Sequence, residues 1–129
     1  MERDPYEEKL DNLTDADIAK ILAELRRRLK APEIAAAHTC IRCGLCADAC
    51  HYYLTNGELE DVPAHKLNLI LGVIKYHFTP AGRLAGGWAG AKKLDKALVR
   101  EWVDALFGRC SGCGRCTVNC TSGINIHGL

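Results

Sequence analysis

The chain has 129 residues, 48% of them hydrophobic and 26% charged, with 17 lysines and arginines against 16 acidic residues for a formal charge of +1. That balance is ordinary for a globular protein and offers no strong basic field for nucleic acid, while the length suits one domain with an N-terminal extension rather than two independent cores. The longest strongly apolar stretch, Leu69-Ile70-Leu71-Gly72-Val73-Ile74, is far short of the ~20 residues a membrane helix needs, so no direct membrane span is expected.

The chain opens Met1-Glu2-Arg3-Asp4-Pro5-Tyr6, charged where a signal peptide would place a basic start and an apolar stretch. A cytoplasmic location is expected, with any membrane association coming through a partner. Thr14 is a helix cap, with Asp17 at the third position completing a capping box. The amphipathic helix it starts is predicted from Asp15 to Lys30, with Ile18, Ile21, Leu22, Leu25 and Leu29 on one face. The run Arg26-Arg27-Arg28-Leu29-Lys30 closes that helix, where cations favour the negative end of the dipole. It needs no RNA or membrane partner to explain it.

Next come Cys40, Cys43, Cys46 and Cys50, with a short helical turn expected over Ala47 to Leu54. The segment from His51 to Arg109 decides the architecture, and its pattern is helical. Pro63 suits the first turn of a helix reaching His77, with Leu67, Ile70, Leu71 and Ile74 as its buried stripe; Thr79-Pro80 ends it. Gly82 to Gly90 is glycine-rich but lacks both the G-x-G-x-x-G and the G-x4-G-K-[ST] spacings, so these glycines are read as turn and close-packing residues and not as a phosphate loop. Asp95 opens a third helix, with Leu98, Trp102, Ala105 and Leu106 on one face and Gly108 at the exit. Cys110, Cys113, Cys116 and Cys120 follow, with a helical turn over Thr117 to Cys120. Nothing alternates like a half-buried strand for long enough to matter.

All eight cysteines thus lie in two copies of C-x2-C-x2-C-x3-C, the ligand run of a cubane iron-sulfur cluster. Three thiolates two residues apart wrap one corner of a compact four-iron cube, and the fourth is carried away from it. In chains that hold two such clusters the fourth cysteine serves the other one. Cluster 1 is therefore expected on Cys40, Cys43, Cys46 and Cys120, and cluster 2 on Cys110, Cys113, Cys116 and Cys50. A disulfide framework competes poorly, because the chain start is not that of a secreted protein. Zinc competes poorly too, since structural sites usually pair two C-x2-C knuckles across a longer segment. Gly44 and Gly114, after the second cysteine of each run, admit positive φ and bring backbone N-H groups to cluster sulfurs. Ile41, Leu45, Val118 and Ile124 are expected to cover the clusters. His38 and His51 flank the first run and are read as ordinary surface or core histidines. Tyr52 and Tyr53 are read as packing residues, Trp102 as core, and Trp88 as a candidate for a partner surface.

The two runs with a helical insert between them resemble the α-helical ferredoxin module. That module forms the second half of succinate dehydrogenase and fumarate reductase iron-sulfur subunits and occurs in heterodisulfide reductase C-like proteins. It is found also in related membrane-complex and glycolate or glycerol-phosphate oxidoreductase subunits. The chain is most similar to the heterodisulfide reductase C-like branch, over Thr39 to Ile126. Cys50-His51-Tyr52-Tyr53-Leu54, Tyr76-His77-Phe78-Thr79-Pro80-Ala81-Gly82-Arg83 and Gly123-Ile124-Asn125-Ile126 carry the likeness beyond the cysteines. Two departures stand out: His51 and Thr121 occupy the places after the fourth cysteines where the family tends to carry proline, and no adjacent cysteine pair marks a fused CCG domain.

The expected fold is all-α, a helical bundle around two 4Fe-4S clusters, with residues 1–36 as an N-terminal helical extension and 37–129 as the dicluster domain. The expected function is an electron-transfer subunit of an oxidoreductase complex, not catalytic alone, since ligation uses every thiol. The resemblance implies a CCG-domain catalytic subunit, a flavoprotein or a membrane cytochrome as partner. A stand-alone dicluster ferredoxin is the alternative within this class; a catalytic iron-sulfur enzyme and a zinc-stabilised interaction module are the alternatives outside it.

Overall fold

The computed structural model describes residues 5–128; residues 1–4 and 129, which belong to the two ends of the expected division, lie outside the described residues. The regular structure is helical, with no strand among the described residues. Helix α1 (Pro5–Asp11) begins on proline, carries Glu7 and Glu8 in its first turn and ends near Lys9, the charge order that a helix dipole favours. Helix α2 (Asp15–Arg28) is started by the capping box that its sequence predicts: the N-H of Asp17 donates to the Thr14 hydroxyl at 3.3 Å and the N-H of Thr14 donates to the Asp17 carboxylate at 3.1 Å. Its last turn holds Arg26, Arg27 and Arg28, and both Arg27 and Arg28 pair with Glu24.

Helix α3 (Ala31–His38) was not expected from the periodicity. Pro32 stands in its first turn, and the Glu33 carboxylate accepts from the N-H of Lys30 at 3.1 Å, so capping starts a helix too short to show an apolar repeat. The first cysteine run contains α4 (Leu45–Asp48) and leads into α5 (His51–Asn56), separated at Cys50, which is extended. The single turn expected over Ala47 to Leu54 is therefore two turns. The second run contains α9 (Arg115–Val118), so in both runs the helical turn starts before the expected Ala47 and Thr117, at Leu45 and Arg115.

Between the runs lie α6 (Pro63–Phe78), α7 (Pro80–Ala85) and α8 (Lys96–Val103), the last continuing into a π-helical turn over Asp104–Gly108. Helix α6 is the central post. Its expected stripe of Leu67, Ile70, Leu71 and Ile74 is buried, but so are Leu69 and Val73, so the middle of the helix is surrounded by protein. Leu69 and Val73 join Leu94, Leu98, Val99 and Ala105 in one core, onto which Leu10, Leu13, Ile18, Ile21, Leu22 and Leu25 of the N-terminal segment pack. On another side, Leu67 and Leu71 meet Ala37 and Ile124 in a second core that borders Cys40 and Cys120. Thr79 both ends α6 and starts α7, its hydroxyl accepting from the N-H of Gly82 at 3.1 Å; a Cβ at Gly82 would collide with the Lys75 carbonyl. The close-packing role read for that glycine is the one it has.

Candidate iron-sulfur site

The two cysteine runs have the same backbone. Gly44 and Gly114 sit at φ +86° and +72°, the left-handed conformation expected of them, and each is the cap from which a helical turn departs. One position before the second cysteine, Arg42 (φ +56°) and Gly112 (φ +67°) are also left-handed. Successive left-handed and helical residues turn their N-H groups to one side, forming a concavity that favours anions. The N-H groups of Leu45 and Arg115 reach Cys43 and Cys113 and hold both thiols below the ordinary range. Thr121 adds to this at Cys43 and Ser111 at Cys113. The third cysteines, Cys46 and Cys116, are pushed up by burial instead, in parallel across the two runs. Gly112 N-H lies 3.5 Å from the Cys110 sulfur, and Ile124 N-H lies 3.4 Å from that of Cys120.

All eight cysteines are free thiols and divide between two cavities. One, of about 480 Å³, is lined by Cys110, Cys113, Cys116 and Cys50. The other, of about 20 Å³, is lined by Cys40, Cys43, Cys46 and Cys120. Each cavity thus takes three thiols from one run and the fourth from the other. The packing of α4 against α9 brings the runs together. The narrower cavity has Ile124 as a buried inner wall and the exposed residues Ile41, Arg42 and Cys43 as an outer one.

The donor set fits clusters better than single ions. Among the described residues, no three His, Cys, Asp or Glu side chains converge closely enough to hold one metal ion, whereas zinc gathers its thiolates at ~2.3 Å from one point. Soft thiolates spread around a cavity, with backbone N-H groups aimed at them, suit the corners of an iron-sulfur cube. His51 adds a further sign: it lines the larger cavity, and its buried Nδ1 has no hydrogen-bond partner.

Several expected residues have different surroundings. Of the four cover residues only Ile124 is buried; Leu45 and Val118 are exposed, and Ile41 borders the narrower cavity while facing outward. Leu45 opens α4 and Val118 ends α9, and both side chains face away from the protein. His38 is exposed at the end of α3, and Trp88 is fully exposed. Trp102 packs on the larger core, as expected. Leu106 was expected on that core face but lines the larger cavity, because the π-helical turn rotates the helix by an extra residue after Val103.

A charged network behind the larger cavity was not foreseen. Arg109, which precedes Cys110, pairs with Glu58, with Asp104 at 2.9 Å and with the fully buried Asp61 at 3.4 Å. Asp61 also accepts from the Asn56 amide at 3.0 Å. The Lys66 ammonium donates to the backbone carbonyl of Arg109 and lies 6.0 Å from the centre of the Tyr52 ring. The sequence held a signal for Lys66: Pro63, Lys66 and Ile70 fall on one helical face, so this lysine is in register with buried apolar residues.

The chain matches the 4Fe-4S dicluster domain over residues 36–124. It belongs to that family, and its cofactors are two 4Fe-4S clusters. The curated relatives are consistent with the heterodisulfide reductase C-like resemblance. Over 86 residues it is 43% identical to the Hdr-like menaquinol oxidoreductase iron-sulfur subunit of Archaeoglobus profundus and, over the same length, 42% identical to iron-sulfur subunit 2 of the Hdr-like menaquinol oxidoreductase of Archaeoglobus fulgidus. Each match covers 67% of this chain but 15% of the relative, so the chain spans a small part of the curated relatives' length. No solved structure matches it.

Proposed function

We propose that the chain is an electron-transfer unit of a multi-subunit oxidoreductase, with cluster 1 on Cys40, Cys43, Cys46 and Cys120 and cluster 2 on Cys110, Cys113, Cys116 and Cys50. The observation that carries the reading is the grouping of three thiols from one run with the fourth from the other around each of two cavities. When bound, the clusters supply one-electron redox chemistry at two neighbouring points. The chain's own groups supply the thiolates, the N-H donors of Leu45, Arg115, Gly112 and Ile124, and the buried wall at Ile124. With every thiol used as a ligand, none is left as a nucleophile, which favours a relay over a catalyst. The relatives named as menaquinol oxidoreductase iron-sulfur subunits support a place inside a redox complex. The partner is read as a CCG-domain catalytic subunit, a flavoprotein or a membrane cytochrome. No helix of the described residues is long and apolar enough to cross a membrane, so contact with one is assigned to the partner.

Anaerobic purification followed by metal and sulfide analysis tests the cofactor: about eight irons and eight acid-labile sulfides per chain are expected, and two zincs without sulfide would overturn it. Crossed ligation predicts that Cys50→Ser perturbs the same paramagnetic signal as Cys110→Ser, and Cys120→Ser the same signal as Cys40→Ser. Pairing of Cys50 with Cys40 in that comparison refutes the crossing. For the subunit reading, the chain is expected to elute from native lysate together with a catalytic partner; elution at 14.1 kDa would instead mark a free ferredoxin.

A further inference from the structure

The two cavities differ in the charge they present. The charged side chains lining the larger one are Lys66 and Arg109; the narrower is bordered by Arg42, which is exposed. Arg109 is compensated three times over, by Glu58, Asp104 and Asp61. Lys66 is not. It is 7% exposed, and the partners of its ammonium are one carbonyl oxygen and the face of one aromatic ring, neither of which carries a countercharge. A buried cation without an anion is costly, and such a residue is accounted for when negative charge lies within its reach. Four cysteines line the same cavity and carry negative charge as thiolates once a cluster is bound. Arg42, by contrast, stands in solvent, where a charge is strongly screened.

We propose that Lys66 is a potential-setting residue: its buried charge raises the reduction potential of cluster 2, held by Cys50, Cys110, Cys113 and Cys116, above that of cluster 1. The physical ground is that adding an electron adds negative charge to a site facing a fixed cation in a low-dielectric setting, whereas cluster 1 has only a screened one. A single electron entering the protein then resides on cluster 2, and Lys66 gives the relay a downhill direction from cluster 1 to cluster 2. The inference rests on the ligand assignment proposed above.

The test is a redox titration of the holoprotein followed by paramagnetic resonance, with cluster 2 identified as the signal that Cys50→Ser perturbs. In the wild type this signal is expected to appear first as the potential is lowered. Lys66→Gln keeps a donor for the Arg109 carbonyl and removes the charge, Lys66→Met removes both, and Lys66→Arg keeps the charge. With iron content unchanged, Gln and Met are each expected to lower the reduced-to-oxidised ratio of cluster 2 on the order of tenfold at fixed poise, about 59 mV for a one-electron couple. The cluster 1 signal is expected to stay in place and Arg to restore cluster 2. A shift in Met without one in Gln would show that the hydrogen bond matters and the charge does not, overturning the proposal; so would equal shifts of both clusters. If Cys50→Ser and Cys40→Ser perturb one signal, the crossed ligation fails instead, a result separate from any Lys66 shift. Should Met lose iron, the Gln and Arg pair alone decides.

Discussion

Arg42 and Gly112 occupy equivalent places in the two cysteine runs and share a left-handed backbone, yet only one of them is a glycine. A side chain in that region costs ~1–2 kcal/mol through the clash of Cβ with the carbonyl, and a glycine gives back ~0.5–1 kcal/mol in chain entropy. Arg42→Gly is therefore expected to stabilise the holoprotein by roughly 0.5–1 kcal/mol in chemical denaturation; an unchanged or lower midpoint would show that the arginine side chain makes a compensating contribution. His77 offers a second test at this scale. Its Nε2 accepts from the N-H of Leu94 at 3.1 Å, which requires the neutral ring, and burial, helped by Arg83 and Lys93, lowers its pKa from 6.5. The unfolded chain then binds the proton more readily than the folded one. Its contribution is present above pH 6.5 and is lost as pH falls through that value toward the lower folded pKa. Melting midpoints measured from pH 8 to 5 are expected to fall more steeply in the wild type than in His77→Gln, and parallel curves would refute the linkage. The cysteines, Gly44 and Gly114 were legible in the sequence because their spacing or backbone freedom is itself the signal. Asp61 and Arg109 were not, because a charged residue reads as solvated until its neighbours are known; the burial of Lys66 was marked only by its register with Pro63 and Ile70.

Among the helices, legibility followed length and capping. Helices α2 and α6 announce themselves by repeated apolar positions and by Thr14 and Pro63; their observed ends, at Arg28 and Phe78, lie close to the expected Lys30 and His77. Helices α3 and α7 are too short to repeat, and Thr79-Pro80, expected only as a stop, is equally a start. Thr14→Ala removes the hydroxyl that accepts the Asp17 N-H and is expected to cost ~1 kcal/mol, seen as a lower denaturation midpoint with the cluster spectra unchanged. Gly82→Ala drives a methyl group into the Lys75 carbonyl where α7 turns back from α6. Overpacking of this kind costs ~1–3 kcal/mol. A neutral Gly82→Ala would show that this turn can open without loss. The π-helical turn after α8 left no mark in the apolar pattern, although it moves Leu106 from the core to the cavity wall.

Across the fold, the two cores differ in their dependence on the clusters. The larger one, around Leu69, Val73, Leu94 and Leu98, contains no cysteine and is completed by α1 and α2. The smaller one borders Cys40 and Cys120 directly. Iron removal is therefore expected to leave amides of α2, α6 and α8 protected from hydrogen exchange while both cysteine runs lose protection. Uniform loss across the chain would mean instead that the clusters hold up the entire fold. The cofactor class and the helical character could be read from the residues alone, because cluster ligation is a matter of thiol spacing and helices are specified by local capping and periodicity. Folding was needed to show that the N-terminal helices complete a core and that one lysine without an ion pair lines the same cavity as four cysteines. Those facts depend on which distant segments meet around α6, and no local pattern encodes such meetings.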